Sequence, residues 1–269
     1  MPDLQVRETF KVTEPTRPDL LPITQYWHSD NVPEEVRATT ASFQELNPGV
    51  PHRLFDERSA ERLIDERFGP REVAAFRSCA VPAMQADYFR YCALSALAGF
   101  WVDVDFHCVA PLETMVEPGD GGIAFRPKEI DVPTNNCFLM FTAPNHPLPR
   151  LLLEVSTANI ERRIGDTIPF VTGPWVLMML GLIYRHGSVE AVEREMTDER
   201  FVRLARSIRE AVGDVNRVVE AFDSVRIVPG RHLDGWIRRV GRHMAYKDSV
   251  DHWTNWQTEG RDIFRHPGQ

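Results

Sequence analysis

The pattern of apolar and polar residues between Met84 and His107 predicts a helix that leads directly into a strand. One face of the helix carries residues spaced by three, four and three positions: Asp87, Arg90, Leu94 and Leu97. Gly99 is suited to ending this helix. From Phe100 the apolar residues alternate with polar ones, which predicts a strand. One side of that strand carries Trp101, Asp103, Asp105 and His107, so the two carboxylates are expected to face the same way.

Apolar runs before this stretch alternate with helical patterns. Strands are expected at residues 21–28 and 50–55, and helices at about 33–46, 56–68 and 71–78. Because strands and helices follow one another in turn, we expect an α/β fold with a mostly parallel sheet and helices on both of its faces.

The second half of the chain is predicted to extend this core. Strands at 122–126 and 137–142 are expected to form an added antiparallel sheet, and a late strand is expected at 225–229. Helices are predicted at 147–160, at 174–184 after Thr172-Gly173-Pro174, and across the charge-rich residues 188–222. This half therefore adds a helical carboxyl-terminal elaboration.

Composition limits the organisation of the chain and its partners. With 269 residues, 43% of them hydrophobic, and with no low-complexity block, the chain is expected to form a single domain over 1–269, preceded by a polar lead-in at 1–20. The formal net charge of −8 argues against a nucleic-acid-binding surface. The four cysteines lack the spacing of a zinc site or a disulfide scaffold.

No segment is expected to span a membrane, because none comes close to the roughly 20 consecutive apolar residues that a helical span requires. The first residues are also too polar for a signal peptide. We therefore expect an intracellular chain.

Two carboxylates at the end of a buried strand indicate a site for a hard cation. Ligands of α/β sheets bind beyond the carboxyl ends of the strands, where Asp103 and Asp105 are predicted to lie. Mg²⁺ and Mn²⁺ take oxygen ligands and often share protein carboxylates with substrate phosphates. The alternative is an edge strand with one solvated face, and D-x-D alone does not exclude it.

The surrounding residues resemble the sugar-transferase region of glycosyltransferase family 32, which contains a DxD motif. The resemblance rests on Ala86-Asp87-Tyr88-Phe89-Arg90-Tyr91 followed by Gly99-Phe100-Trp101-Val102-Asp103-Val104-Asp105. It implies a Rossmann-like nucleotide-diphosphosugar transferase fold of the GT-A type. Residues 21–145 would then form the nucleotide-sugar-binding core, and residues 146–269 the acceptor side with a closing loop. Because no membrane anchor precedes the domain, the resemblance further implies a cytoplasmic enzyme of the bacterial type.

The same resemblance implies roles for individual residues. Asp105, with Asp103, would hold Mn²⁺ or Mg²⁺, and Asp103 would also reach ribose or sugar hydroxyls. Asp87 and Arg90 would hold the hydroxyls of the transferred sugar. Further matches to family motifs imply contacts with the nucleotide sugar from Gln25, Trp27, Asn136, Asn255 and Trp256, and additional metal ligands from Asn255 and His252.

For Trp27 a purely structural role in the core is the competing interpretation, and for Asn136 a turn cap. The closing loop departs from the family pattern, because Asp251 stands where a histidine is common and Asn255 where a serine is.

The implied reaction is transfer of a hexose or N-acetylhexosamine from a UDP- or GDP-sugar to a hydroxyl of a glycan or small-molecule acceptor, with retention at the anomeric carbon. A glycoside hydrolase fits less well, because its two carboxylates must flank the scissile bond. A metal-dependent nucleotidyltransferase and a non-catalytic sugar- or Ca²⁺-binding module remain as alternatives.

Overall fold

The computed structural model describes residues 20–241, 244–248 and 253–265. A six-stranded sheet forms its centre, with the strand order β2-β1-β3-β6-β5-β7, and a two-stranded ribbon pairs β4 with β8. The strands are β1 (Ile23–Tyr26), β2 (His52–Phe55), β3 (Gly99–Val102), β4 (Phe106–Cys108), β5 (Gly122–Arg126), β6 (Asn135–Phe141), β7 (Val225–Pro229) and β8 (Ile237–Arg239).

Eleven helices are present in the described part of the chain. The helices are α1 (Glu34–Leu46), α2 (Glu57–Arg67), α3 (Pro70–Ser78), α4 (Pro82–Leu97), α5 (Pro147–Arg162), α6 (Ile168–Val171), α7 (Pro174–His186), α8 (Val189–Glu195), α9 (Glu199–Val212), α10 (Asn216–Phe222) and α11 (Trp253–Thr258). The β-α alternation predicted for the first hundred residues is confirmed. Local sequence explains several boundaries: for example, Asp56 accepts a hydrogen bond from the backbone N–H of Ser59 and caps α2.

The expected mixed α/β architecture with a mostly parallel sheet is confirmed. Three of the five neighbouring strand pairs are parallel, namely β1 with β2, β1 with β3, and β5 with β7. Strand β6 is antiparallel to both β3 and β5. The predicted antiparallel pairing of β5 with β6 is confirmed. The prediction that they form an added sheet was wrong, because β6 pairs directly with β3 and continues the central sheet.

Alternating side chains of the strands build the core on both faces of the sheet. Trp101, Leu139 and Phe141 belong to the larger cluster, which includes residues of α4, α5 and α7. Phe100 and Met140 belong to a second cluster together with Phe43 of α1. Helices therefore cover both faces, as the sequence pattern predicted.

The strand predicted to run through both aspartates is interrupted. Strand β3 ends at Val102, and the N–H of Phe106 donates to the carbonyl of Asp103 at 3.3 Å, which closes a turn over the D-x-D segment. The prediction that one face of a continuous strand carries Asp103 and Asp105 was therefore wrong. The turn is what lets the two carboxylates meet different partners.

The junction between α4 and β3 depends on a close backbone approach. The helix ends at Leu97, and Ala98 and Gly99 follow with φ angles of 59° and 89°. A Cβ atom on Gly99 would lie 2.2 Å from the carbonyl oxygen of Pro22. Because no side chain fits there, Gly99 allows β3 to align beside β1.

By length and composition alone, the segment Ile168–His186 could cross a membrane, so the premise that no segment approaches the required length was wrong. It comprises α6 and α7, and most of it is buried inside the protein. The buried core helix of a folded domain has the same composition.

Candidate active site

A cleft of about 320 Å³ opens where β1 and β3 end. Its lining includes both carboxylates of the D-x-D segment, three aromatic residues and two cations: Asp103, Asp105, Trp27, Trp101, Tyr246, Arg239 and Lys247. Ligands of α/β proteins bind beyond the carboxyl ends of strands, and the volume lies at the lower end of the range for small-molecule sites.

Arg90 joins two of the predicted carboxylates behind this cleft. Its guanidinium donates to Asp87 Oδ1 at 2.5 Å and to Asp103 Oδ1 at 2.8 Å. The indole N–H of Trp101 donates to the same Asp103 oxygen at 2.8 Å, and the Arg90 guanidinium lies 5.2 Å from the centroid of the Trp101 ring. Arg90 is only 1% exposed. Asp87 and Arg90 lie on one side of α4, as the helical spacing predicted.

The electrostatics of this network favour a charged arginine between two carboxylates that resist ionisation. Burial raises the pKa of Asp87 to about 6, although Arg90 and the amide of Asn136 oppose the rise. Burial also raises the pKa of Asp103, with a further contribution from the charge of Asp105. Although burial disfavours the charged guanidinium, the two carboxylates raise the pKa of Arg90 above its ordinary value.

Asn136 on β6 extends the network to helix α7. Its amide donates to Asp87 Oδ1 at 3.2 Å and to the hydroxyl of Tyr91 at 3.4 Å. That hydroxyl donates to the carbonyl of Thr172, just before α7, at 2.9 Å. A Cβ atom on Gly173 would lie 3.1 Å from Asp87 Oδ2. The Thr172-Gly173-Pro174 element, which the sequence placed at a helix start, therefore packs against the Asp87 carboxylate.

Asp105 has two cationic partners that come from a distant part of the chain. Lys247 Nζ donates to Asp105 Oδ2 at 2.6 Å, and Arg239 Nε donates to the same oxygen at 3.2 Å. The other oxygen, Oδ1, is buried and accepts no hydrogen bond from the residues that the structure describes. Asp105 therefore keeps a free acceptor inside the site.

The β4–β8 ribbon brings Arg239 to Asp105. Phe106 pairs with Arg239 across the ribbon, and the N–H of Val240 donates to the carbonyl of Asp105 at 2.9 Å. A Cβ atom on Gly241 would lie 2.4 Å from both Asp105 Oδ2 and Lys247 Nζ. The backbone thus passes directly against the ion pair, and only glycine leaves room for it.

Aromatic rings from two distant segments form one wall of the cleft. The rings of Trp27 and Tyr246 meet edge to face with their centroids 5.0 Å apart. The backbone N–H groups of Ala245 and Tyr246 donate to the carboxylate of Glu35 at 2.9 Å and 3.1 Å. Helix α1 therefore holds the segment that carries Tyr246 and Lys247.

Several residues predicted for the site lie elsewhere. Gln25 is buried and faces β2, where its side-chain oxygen lies 2.9 Å from His52 Nε2, because alternation along β1 turns it away from the cleft. Asn255 and Trp256 do not line the cleft, and the Trp256 indole instead donates to the carbonyl of Asp262 at 3.0 Å. His252 lies outside the described residues.

Sequence reasoning did not single out Arg239, Lys247 or Tyr246. The sequence gives only a general signal for them, because Arg239 lies in an arginine-rich stretch between Arg200 and Arg242. Trp101 could have been found, since the predicted alternation already placed it on the same side as Asp103.

The residues present fit a divalent cation in part. The buried, unpaired Oδ1 of Asp105 and the nearby carboxylate of Asp103 offer the hard oxygen ligands that Mg²⁺ and Mn²⁺ prefer. Among the residues described, no group of three or more His, Cys, Asp or Glu side chains could hold a metal ion. Such an ion would therefore need substrate oxygens or water to complete its coordination.

Curated relatives of the chain are sugar-transferring enzymes. An initiation-specific α-1,6-mannosyltransferase of Schizosaccharomyces pombe is 26% identical over 111 residues, which cover 40% of this chain and 27% of the relative. The chain is related to glycosyltransferases. Two mannosyl phosphorylinositol ceramide synthases of Saccharomyces cerevisiae are also similar, one 26% identical over 147 residues (54% of this chain, 37% of the relative) and one 23% identical over 216 residues (74% and 55%).

This relative of glycosyltransferases spans between about a quarter and just over half of the length of the curated proteins it matches. No family model matches the chain. Among solved structures, the PaToxG glycosyltransferase aligns with a TM-score of 0.49 and 14% identity over 76% of this chain and 86% of that one.

Proposed function

We propose that this chain is a glycosyltransferase that moves a hexose or N-acetylhexosamine from a UDP- or GDP-sugar to a hydroxyl of a glycan or small-molecule acceptor. The relatives named as mannose-transferring enzymes support mannose as the first sugar to test. The observation that carries the proposal is the cleft at the ends of β1 and β3, which Asp103, Asp105 and Trp27 line together.

Asp105 and Asp103 are the residues that would hold Mn²⁺ or Mg²⁺. When bound, such an ion acts as a Lewis acid and neutralises charge on a departing diphosphate. Trp27, at the end of β1, offers an aromatic surface for a nucleotide base.

Arg90 is a positioning residue in this proposal. Its guanidinium is buried and already bound to Asp87 and Asp103, and it does not line the cleft. We therefore assign it the orientation of Asp103 rather than a contact with sugar hydroxyls. Asp87 accepts hydrogen bonds from Arg90 and from the amide of Asn136, and both residues therefore help to hold Arg90 in place. Retention at the anomeric carbon would follow from attack on the face that the diphosphate leaves, and we assign no protein nucleophile.

A thermal-shift panel of UDP- and GDP-sugars, with and without Mn²⁺, tests the proposal. We expect at least one nucleotide sugar to raise the melting temperature, because a ligand that binds only the folded state stabilises it. Asp105→Asn should abolish the metal-dependent part of this shift, whereas the exposed Asp234→Asn should leave it intact. No shift with any donor, or an unchanged shift in Asp105→Asn, would count against the proposal.

A further inference from the structure

Asp105 is a buried carboxylate with two cationic partners of unequal exposure. Its side chain is only 6% exposed, whereas the side chain of Arg239 is 62% exposed and that of Lys247 is 22% exposed. Solvent screens the contact with Arg239, which is also the longer of the two. Lys247, at 2.6 Å, is therefore the principal counterion of Asp105.

Lysine suits an exchangeable contact better than arginine does. Its ammonium is a compact charge on a flexible stem with three donors, and it can turn without breaking a planar two-point contact. Each cation also lies beside an aromatic ring: the Arg239 guanidinium is 5.7 Å from the centroid of Phe106, and Lys247 Nζ is 5.8 Å from the centroid of Tyr246. The flexible stem of Lys247 allows its ammonium to turn from Asp105 towards another anion in the cleft.

A divalent cation and an ammonium compete for the same carboxylate. Lys247 Nζ already contacts Asp105 Oδ2, and Oδ1 remains available in the same group. Two positive centres on one small carboxylate repel each other strongly when solvent is largely excluded. A cation that binds at Asp105 therefore weakens the hold on Lys247, and a diphosphate in the cleft offers the displaced ammonium new anionic acceptors.

We propose that Lys247 is an exchangeable counterion, which neutralises Asp105 in the free protein and turns to the phosphate oxygens of the donor when a divalent cation occupies Asp105. This inference rests on the proposed function for its second half only. It assigns Lys247 to donor binding and makes the affinity for the cation depend on whether a diphosphate is present.

The first part of the proposal is that Lys247 competes with a divalent cation for Asp105. Titration with Mn²⁺ in the absence of nucleotide tests it, with free Mn²⁺ followed by electron paramagnetic resonance. Lys247→Gln keeps a hydrogen-bond donor but removes the competing charge, so we expect it to bind Mn²⁺ about tenfold more tightly than the unsubstituted protein. Lys128→Gln, which removes the same charge at an exposed position, should bind as the unsubstituted protein does. Equal or weaker Mn²⁺ binding in Lys247→Gln would overturn the proposal. Far-ultraviolet circular dichroism checks that the variant is folded, and Lys247→Met gives a second uncharged side chain if it is not.

Nucleotide binding at saturating Mn²⁺ tests the second half, by calorimetry with UDP and GDP. Here the effect of Lys247→Gln should reverse: affinity for the nucleoside diphosphate falls about tenfold, while uridine and guanosine bind as they do to the unsubstituted protein. An unchanged affinity for the diphosphate would overturn this half. If the unsubstituted protein binds no nucleotide at all, the proposed function fails, whereas the Mn²⁺ titration still decides whether Lys247 competes for Asp105.

Discussion

Arg90 in the middle of α4 donates to Asp103 just beyond the end of β3 at 2.8 Å, which ties a helix of the core to the carboxylate that lines the cleft. The other arm of the same guanidinium holds Asp87. The buried side chain of Arg90 thus orients Asp103 in the cleft. The helical spacing in the sequence had already placed Arg90 on the same helix face as Asp87.

Replacing Arg90 should destabilise the protein strongly. Arg90→Met leaves Asp87 and Asp103 without their shared cation, and removing one partner of a buried ion pair costs about 3–5 kcal/mol. Equilibrium unfolding in urea measures the loss. Arg71→Met is the matched control, because Arg71 and Glu161 form a pair with side chains 51% and 44% exposed, and such pairs contribute about 0–1 kcal/mol. Similar losses in the two variants would contradict the role of Arg90.

Removing the indole of Trp27 should weaken nucleotide binding. Stacking of a base on an aromatic side chain is worth about 1–3 kcal/mol, so Trp27→Ala should raise the dissociation constant for UDP or GDP by about 5- to 150-fold. Trp27→Phe keeps an aromatic face and should recover most of the affinity. Calorimetry measures both variants. Equal affinity of Trp27→Ala and the unsubstituted protein would show that the base lies elsewhere.

The stability of the fold should depend on pH through His146, because its hydrogen bonds require the neutral imidazole. Its Nδ1 accepts from the N–H of Leu148 at 3.2 Å at the start of α5, so in this tautomer Nε2 carries the proton and donates to Ser224 Oγ at 3.0 Å. Burial lowers the pKa of His146 to about 4. In the unfolded chain the pKa of histidine is about 6.5, so the unfolded state binds the second ring proton more tightly than the folded protein does.

Because the folded-state pKa lies below the unfolded one, the contribution of His146 to stability is complete above a pH of about 6.5 and is lost as the pH falls towards 4. His146→Asn keeps a capping acceptor but does not titrate. We expect its melting temperature to fall less between pH 7.5 and pH 5 than that of the unsubstituted protein. A pH dependence as steep as before would contradict this assignment. His52, whose pKa burial also lowers to about 4, accounts for a remaining slope.

Gly99→Ala should be more damaging than a comparable change at another glycine with a positive φ angle. The new methyl group would meet the carbonyl oxygen of Pro22 and force β1 and β3 apart, with an expected cost of about 2–4 kcal/mol. Gly187→Ala is the control, because Gly187 has a φ angle of 65° with open space around it, and the backbone cost alone is about 1–2 kcal/mol. Chemical denaturation of both variants separates steric overlap from backbone strain. Equal losses would exclude the contact with Pro22 as the cause.

Local patterns in the sequence determined the elements and one face of the site. Helical spacing placed Asp87 beside Arg90, and the ends of α1, α2, α3 and β5 lie close to their predicted positions. These features depend on residues a few positions apart, which share a helix face or alternate along a strand, so they can be deduced without knowledge of the fold.

Only the tertiary structure decided how the D-x-D carboxylates are used. It closed a turn over Asp103 and Asp105, inserted β6 beside β3, and brought Arg239 and Lys247 to Asp105 from more than 130 residues away. It also turned Gln25 towards His52. Pairings of this kind depend on which strands become neighbours when the whole chain packs, and neither the period nor the composition of a local segment contains that information.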